Sequence, residues 1–324
     1  MQFRRQAMPL LDLGYRSWEG DRTPRILRWT VVALTGITMV WRGYWLRSML
    51  VIALTPALFS VLGFFMFEQG IKQPEPRRFV ARIVQQQFKS PELAKSLTDD
   101  PDAARHDVWA QFLMWFFRYP QAFSMVVVFG LVAPRLISYD LRSRAYLLYL
   151  SRPMTPFEYL LGKGAVLWFL LTLIATLPAL AVYFCGVLLS PQWQVIEQTW
   201  DLPLRILLAT IALALPTSAA AICYSSMTTE SRFAGFAWFA TWVVGWVTYA
   251  VLTSTEMFDP SDSQALVSKW QFISPYHTLG QLQAISFGIS QDQDPFWFPV
   301  IASILVTLIG FFVAYRRIAG VLKA

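Results

Sequence analysis

Few residues in this sequence have the types and spacing that site chemistry needs. A loop of the form GxxxxGK[ST] wraps a nucleotide's phosphates in backbone N–H groups and brings a lysine to them. The one Gly-Lys pair, Gly162-Lys163, is followed by Gly164 where Ser or Thr is required, and it lacks the upstream glycine. The chain is therefore expected not to hydrolyse ATP by itself. Metal catalysis needs clustered nitrogen, sulfur or carboxylate ligands, as in HExxH or CxxC. Here His106 and His277 stand far apart, and Cys185 and Cys223 lie inside apolar runs. His277 reads as a polar residue at a membrane boundary, and the cysteines as packing residues near opposite faces. No serine has a histidine and a carboxylate at recognisable spacing, and Ser225-Ser226 reads as a helix end. No catalytic, cofactor or metal site is expected in this chain.

The elements that surround these residues belong in lipid. Of 324 residues, 56% are hydrophobic and 15% charged, with 14 Trp, a balance that a soluble domain of this size could not solvate. Apolar runs that match the roughly 30 Å hydrocarbon layer occupy 49–67, 121–138, 164–189, 206–227, 233–253 and 298–315. The expected fold class is an all-α polytopic membrane protein with six transmembrane helices, since a helix satisfies its backbone groups internally. Ion-coupled carriers place Asp, Glu or Lys near mid-membrane. None occurs there; Arg135 and Arg205 lie near span ends, where a long side chain reaches the headgroups. Energy for transport would then come from elsewhere. Pro56, Pro134, Pro178 and Pro216 each interrupt one of the first four spans, as packing kinks or as hinges.

The net charge of +7 is spread over the ends of apolar runs and forms no continuous basic face, which argues for membrane orientation and against nucleic acid. Eight Lys and Arg residues precede the first span, four lie in 139–163 and three follow the last span. The 254–297 loop has one, Lys269, against five acids. By the positive-inside rule both termini are cytoplasmic, 139–163 is a cytoplasmic loop and 254–297 an outer one. Segment 68–120 has eight basic and seven acidic residues; being long, it is placed outside as an insert between helices 1 and 2. Arg4, Arg5, Arg16, Arg22 and Arg25 precede no apolar core of a cleaved signal peptide. The absence of Asn fits a bacterial protein, and the expected location is the inner membrane. The organisation is thus a tail and interfacial helix over 1–48 and a six-helix membrane domain over 49–324. Run 29–41, flanked by Arg25, Arg28 and Arg42, is too short to cross and reads as that interfacial helix. Within the insert, 79–88 has helical spacing, and the aromatic stretch 108–117 suits a headgroup layer.

The most informative stretch is ISYDLRSRAYLLYLSRPMTPFEYLLGK, 137–163. Asp140, Arg142 and Arg144 precede the apolar patch Tyr146, Leu147, Tyr149 and Leu150; Ser151-Arg152-Pro153 breaks the chain, and Thr155 or Pro156 starts a new helix. A short amphipathic helix at the cytoplasmic face follows, either docked in a partner's groove or resting on lipid as an elbow.

Asp140, Arg142, Ser143, Tyr149, Leu150, Ser151, Arg152, Pro153, Glu158, Tyr159, Gly162 and Lys163 resemble the loop between spans two and three of type-2 ABC transporter permeases, bacterial exporters in particular. Weaker likeness extends to Gly14-Tyr15-Arg16-Ser17-Trp18-Glu19-Gly20 and to Ser274-Pro275-Tyr276-His277. The resemblance implies a half-transporter that pairs with a second permease copy and binds separate ABC ATPase subunits carrying ATP and Mg. By that likeness 140–153 is a coupling helix, with Asp140, Arg142, Arg144, Tyr149, Arg152, Pro153 and Glu158 as ATPase-coupling contacts. The insert departs from the simplest members.

Two functions follow as expectations. One is the permease of an ATP-driven exporter, with Thr55, Ser60, Ser124, Thr241 and Thr248 as pathway-lining residues. The other is a mechanical or regulatory subunit whose ATPase drives 68–120 against a periplasmic or envelope partner, with nothing crossing. A membrane enzyme such as a lipid transferase lacks the histidine and carboxylate equipment. Phe64, Phe129 and Trp246 are open to two readings, a lipid-like path or interfacial anchoring.

Overall fold

The computed structural model describes residues 24–70, 74–88, 91–145, 154–190, 194–256, 270–289 and 297–321. The 14–20 motif and the loop residues Tyr149, Arg152 and Pro153 lie outside them. Among the described residues every regular element is helical: α1 (Arg28–Trp41), α2 (Tyr44–Gly70), α3 (Pro74–Phe88), α4 (Pro91–Asp99), α5 (Pro101–Phe116), α6 (Ala122–Ser143), α7 (Pro156–Leu171), α8 (Leu177–Leu189), α9 (Gln194–Thr199), α10 (Leu202–Met227), α11 (Ser231–Glu256), α12 (Pro275–Phe287) and α13 (Trp297–Val321).

Six of the resulting stretches are long and apolar enough to cross a membrane: Arg47–Gly70, Pro101–Ser143, Pro156–Leu189, Gln194–Met227, Ser231–Ser254 and Trp297–Gly320. They coincide with the six expected runs but extend further at several ends. In spans two, three and four, 56–61% of the most apolar window is buried, against 22%, 11% and 17% in spans one, five and six. The middle three form the centre of the bundle, and the others present broad apolar faces outward.

Hydroxyls and small residues hold that centre together, as they must where lipid supplies no hydrophobic drive between helices. Pro134 occupies α6, and the Ser225 hydroxyl of α10 inserts beside it, donating to the Pro134 carbonyl at 3.2 Å and accepting from Ile137 and Ser138 N–H at 3.1 Å. Ser138 in turn donates to the Ser225 carbonyl at 2.8 Å. Spans three and four share a Thr176–Thr210 hydroxyl contact at 3.0 Å, and Trp238 of span five donates its indole N–H to the Val126 carbonyl at 2.8 Å. Gly310 of α13 rests on Ala219, where a Cβ would come within 2.9 Å of the carbonyl oxygen.

Spans two and three are each continuous through a π-turn, Phe117–Gln121 and Thr172–Thr176. The first contains Pro120 and the second immediately precedes Leu177-Pro178; a wider turn relieves the clash and missing donor of a proline inside a helix. Here the structure corrects the expectation for 108–117. That stretch is not a short segment of its own but part of the first half of one 43-residue helix, Pro101–Ser143, about 65 Å long at 1.5 Å per residue. Trp109, Leu113, Phe116 and Phe117 are buried in protein. The acidic break before it is a helix start: the Asp100 carboxylate caps the N–H groups of Asp102 and Ala103, with Pro101 following.

Between spans five and six the chain turns back along the bundle. A Cβ on Gly245, in the middle of α11, would meet Pro275 at 2.8 Å and the Ile273 carbonyl at 3.0 Å, while the far end of α12 gives its Phe287 carbonyl to Arg205 of α10. The helix α12 thus starts beside mid-span five and ends beside the start of span four.

The 14-residue α1, about 21 Å long, is separated from span one at Arg42-Gly43. It lies on the first half of span three: a Cβ on Gly162 would sit 2.7 Å from the Trp29 carbonyl oxygen and 2.7 Å from Val32. Gly162→Ala should therefore push α1 off span three, lowering stability by about 1–3 kcal/mol. Faster proteolysis at Arg28 and Arg42 in detergent, with the rest of the chain still protected, is the expected readout; an unchanged digestion pattern would show that α1 is not held there.

Candidate functional site

The loop singled out in the sequence leaves one helix and enters another, and both ends are built locally. Span two closes at Arg144, which takes the left-handed conformation (φ 55°) and turns the chain so that the next residue, Ala145, donates its N–H to the Asp140 carbonyl at 3.0 Å. Span three opens with a capping box: Thr155 Oγ1 accepts from Glu158 N–H at 3.2 Å, Glu158 Oε2 accepts from Thr155 N–H at 2.8 Å, and Pro156 holds the first helical position. Glu158 thus shapes the loop's exit through its own carboxylate.

Asp140 joins the two ends. Its Oδ2 lies 2.7 Å from Lys163 Nζ and accepts a 2.7 Å hydrogen bond from the Tyr159 hydroxyl. Asp140 is 8% exposed, Lys163 6% and Tyr159 fully buried. The Lys163 ammonium also sits 5.5 Å from the Tyr159 ring centroid. A carboxylate and an ammonium removed from water each carry a desolvation cost that only close pairing offsets. This one is close, so the last turn of span two and the first turns of span three move as one body. Asp140 accordingly faces the inside of its own chain, where it positions the loop, and is not an exposed contact. Tyr159 and Lys163 are four residues apart on one helix face, a spacing visible in the sequence; their partner, 23 positions upstream of Lys163, was not.

What this end exposes lies on the other side of span two. Arg135, Tyr139 and Arg142 follow one another at helical spacing and are all exposed, and Arg142 reaches Glu230 at 3.2 Å in the turn between α10 and α11. Arg144, Arg232, Arg316 and Arg317 are exposed in the same chain. An exposed pair such as Arg142–Glu230 adds little stability; its two groups remain available to a partner. Sequence reasoning placed Arg135 at a span end but did not join it to Tyr139 and Arg142, although their spacing was there to find.

The five expected pathway residues do not share one surface. Thr55 is exposed on α2, whereas Ser60, bonded to the Pro56 carbonyl, is 3% exposed and turned into the bundle. This removes Ser60 from a pathway lined between copies. Thr241 pairs with the Tyr224 hydroxyl at 2.8 Å inside the same chain, and Ser124 and Thr248 are half-buried.

The opposite end of the bundle carries polar contacts the sequence did not reveal. Glu68, at the end of span one, accepts the Trp109 indole N–H at 3.1 Å and lies 3.4 Å from Arg105 Nε; Arg105 also reaches Asp102 at 3.0 Å and Gln198 at 3.1 Å. The next residue, His106, is 3.1 Å from the Asp201 carboxylate, which Arg205 holds at 2.6 Å. His106, which looks isolated in the sequence, is thus one link between the insert and span four. Among the described residues no three His, Cys, Asp or Glu side chains group as a metal site.

Removing one member of the Asp140 cluster should cost more than removing the pair. Asp140→Asn or Lys163→Met alone is expected to destabilise by about 3–5 kcal/mol, and the double variant by clearly less than the sum. Thermal melts in detergent across the double-mutant cycle measure this; additive losses would mean the two charges do not act together. No protein-family model matches this sequence, and no curated protein matches it either.

Proposed function

We propose that this chain is the membrane-spanning permease subunit of an ATP-driven ABC exporter, moved by a separate ATPase that docks at the 139–163 loop. The observation that carries the proposal is the buried Asp140–Lys163–Tyr159 cluster at the base of that loop. A helix that merely rests on lipid needs no rigid base. A helix that receives a push does, because the displacement must reach spans two and three without being absorbed in the loop. The exposed row Arg135, Tyr139 and Arg142 beside the loop supplies charge and an aromatic surface for a protein partner. The ATPase would bring ATP and Mg, and the outward apolar face of span five suits a second permease copy.

A second function is favoured by a different observation. The helix Pro101–Ser143 runs unbroken from the insert to Asp140 and Arg142, so a push at the loop would also move the insert. Under that alternative an ATPase drives the insert against an envelope partner and nothing crosses.

Affinity purification of the tagged chain from its native membrane should bring down a Walker-motif ATPase in about equal amount. Replacing Tyr149 and Arg152 together by Ala should abolish that capture while leaving the melting temperature of the membrane domain unchanged. Asp140→Asn should keep the ATPase bound but lower transport-coupled nucleotide turnover. If no ATPase copurifies, or if the double variant retains it with full turnover, the docking assignment fails. Deleting 74–99 separates the two functions: the exporter keeps substrate-stimulated turnover, and the mechanical subunit loses its output while still binding the ATPase.

A further inference from the structure

At the end of the bundle opposite the loop, α2, α3 and α5 enclose a groove of about 470 Å³ whose walls are almost wholly apolar. Phe64 and Trp109 form its floor, edge to face at 4.8 Å, and Phe112 packs on Phe64 at 4.7 Å. Gly63 is required for that approach, since a Cβ there would come within 2.7 Å of the Phe112 ring. The floor is fixed from behind by the Glu68 bonds to Trp109 and Arg105.

The geometry points to this groove as a lipid site that takes one acyl chain of an anionic lipid from the surrounding leaflet. Three observations lead there. First, the groove is continuous with an exposed apolar surface: Phe65 and Met66 line it and also continue the outward face of span one, where Leu58, Phe59 and Leu62 are 55–74% exposed. Second, its rim is basic. Phe79 and Ile83, which line the mouth from α3 while 56% and 44% exposed, alternate with exposed Arg78 and Arg82. Guanidinium groups at that position can hold a phosphate headgroup while the chain lies below. Third, the size selects against a protein occupant: a helix with side chains is about 10 Å across, so 470 Å³ would house roughly one turn of it. That volume is within the usual range for small apolar ligands, about 300–1,000 Å³. The inference is independent of ATPase docking at the other end.

The test uses the full chain in phosphatidylcholine nanodiscs doped with a phospholipid bearing a photoactivatable diazirine on its acyl chain. The headgroup is phosphatidylglycerol in one series and phosphatidylcholine in the other. Adducts are mapped by mass spectrometry. Adducts at Phe64, Trp109 and Phe112 should be enriched for the anionic lipid by about fivefold or more, the gain expected for one or two arginines at a charged headgroup. Ile83→Trp, which plugs the mouth from an exposed position, should remove those adducts and leave the ones on the exposed Ile304 and Leu308 of span six. Arg78→Gln with Arg82→Gln should equalise the two lipids. The proposal is overturned if the groove labels no more than the span-six face or if Ile83→Trp has no effect. Chain-to-chain cross-links through the groove would also overturn it, by making a second copy the occupant.

Discussion

Hydrocarbon offers no partner to a backbone N–H or C=O, so every residue inside the bilayer must have its hydrogen bonds completed by protein. The rest of this structure follows from how that requirement is met where prolines break the ladder. In the turn that follows Pro134 the Ser225 hydroxyl of span four enters the ladder, donating to the Pro134 carbonyl and accepting from the Ile137 and Ser138 N–H groups. At Pro120 and ahead of Pro178 the helix widens into a π-turn and continues. Each repair uses a neighbour or changes the helix course, and together the repairs bind spans two, three and four into the buried centre of the bundle. Spans one, five and six have fewer such ties and remain peripheral.

A rigid centre with unlike ends has mechanical consequences. At one end a buried ion pair locks the exit of span two to the entrance of span three. At the other, carboxylate, guanidinium, imidazole and indole groups bind the insert to spans one and four. Buried ion pairs contribute less to net stability than to geometry, because desolvation consumes much of their attraction while a lost partner is costly. Their placement at both ends of one unbroken 43-residue helix makes that helix the natural path for displacement through the protein. Whether the displacement opens a route between two copies or moves the insert is the point on which the two proposed functions divide. The groove beside Trp109 lies at the far end of this path, so its shape is tied to the same helix.

Hydropathy was sufficient for the number and rough position of the spans, because crossing 30 Å of lipid demands a long apolar run whatever the run packs against. The start of span three at Thr155 and Pro156 was legible for a similar reason: a capping box is completed within four residues. Charge bias and the loop motif were likewise local, and they directed attention to Asp140, Arg142 and Glu158. The inward turn of Asp140 and of Ser60, the burial of Trp109 and the Asp201 partner of His106 were not legible. Each depends on which helix faces which across the bundle, and lipid-exposed and protein-buried faces of a spanning helix are equally apolar, so composition alone carries no phase. Only packing sets that phase, through contacts such as Lys163 to Asp140 and Arg105 to Glu68, whose members lie 23 and 37 residues apart.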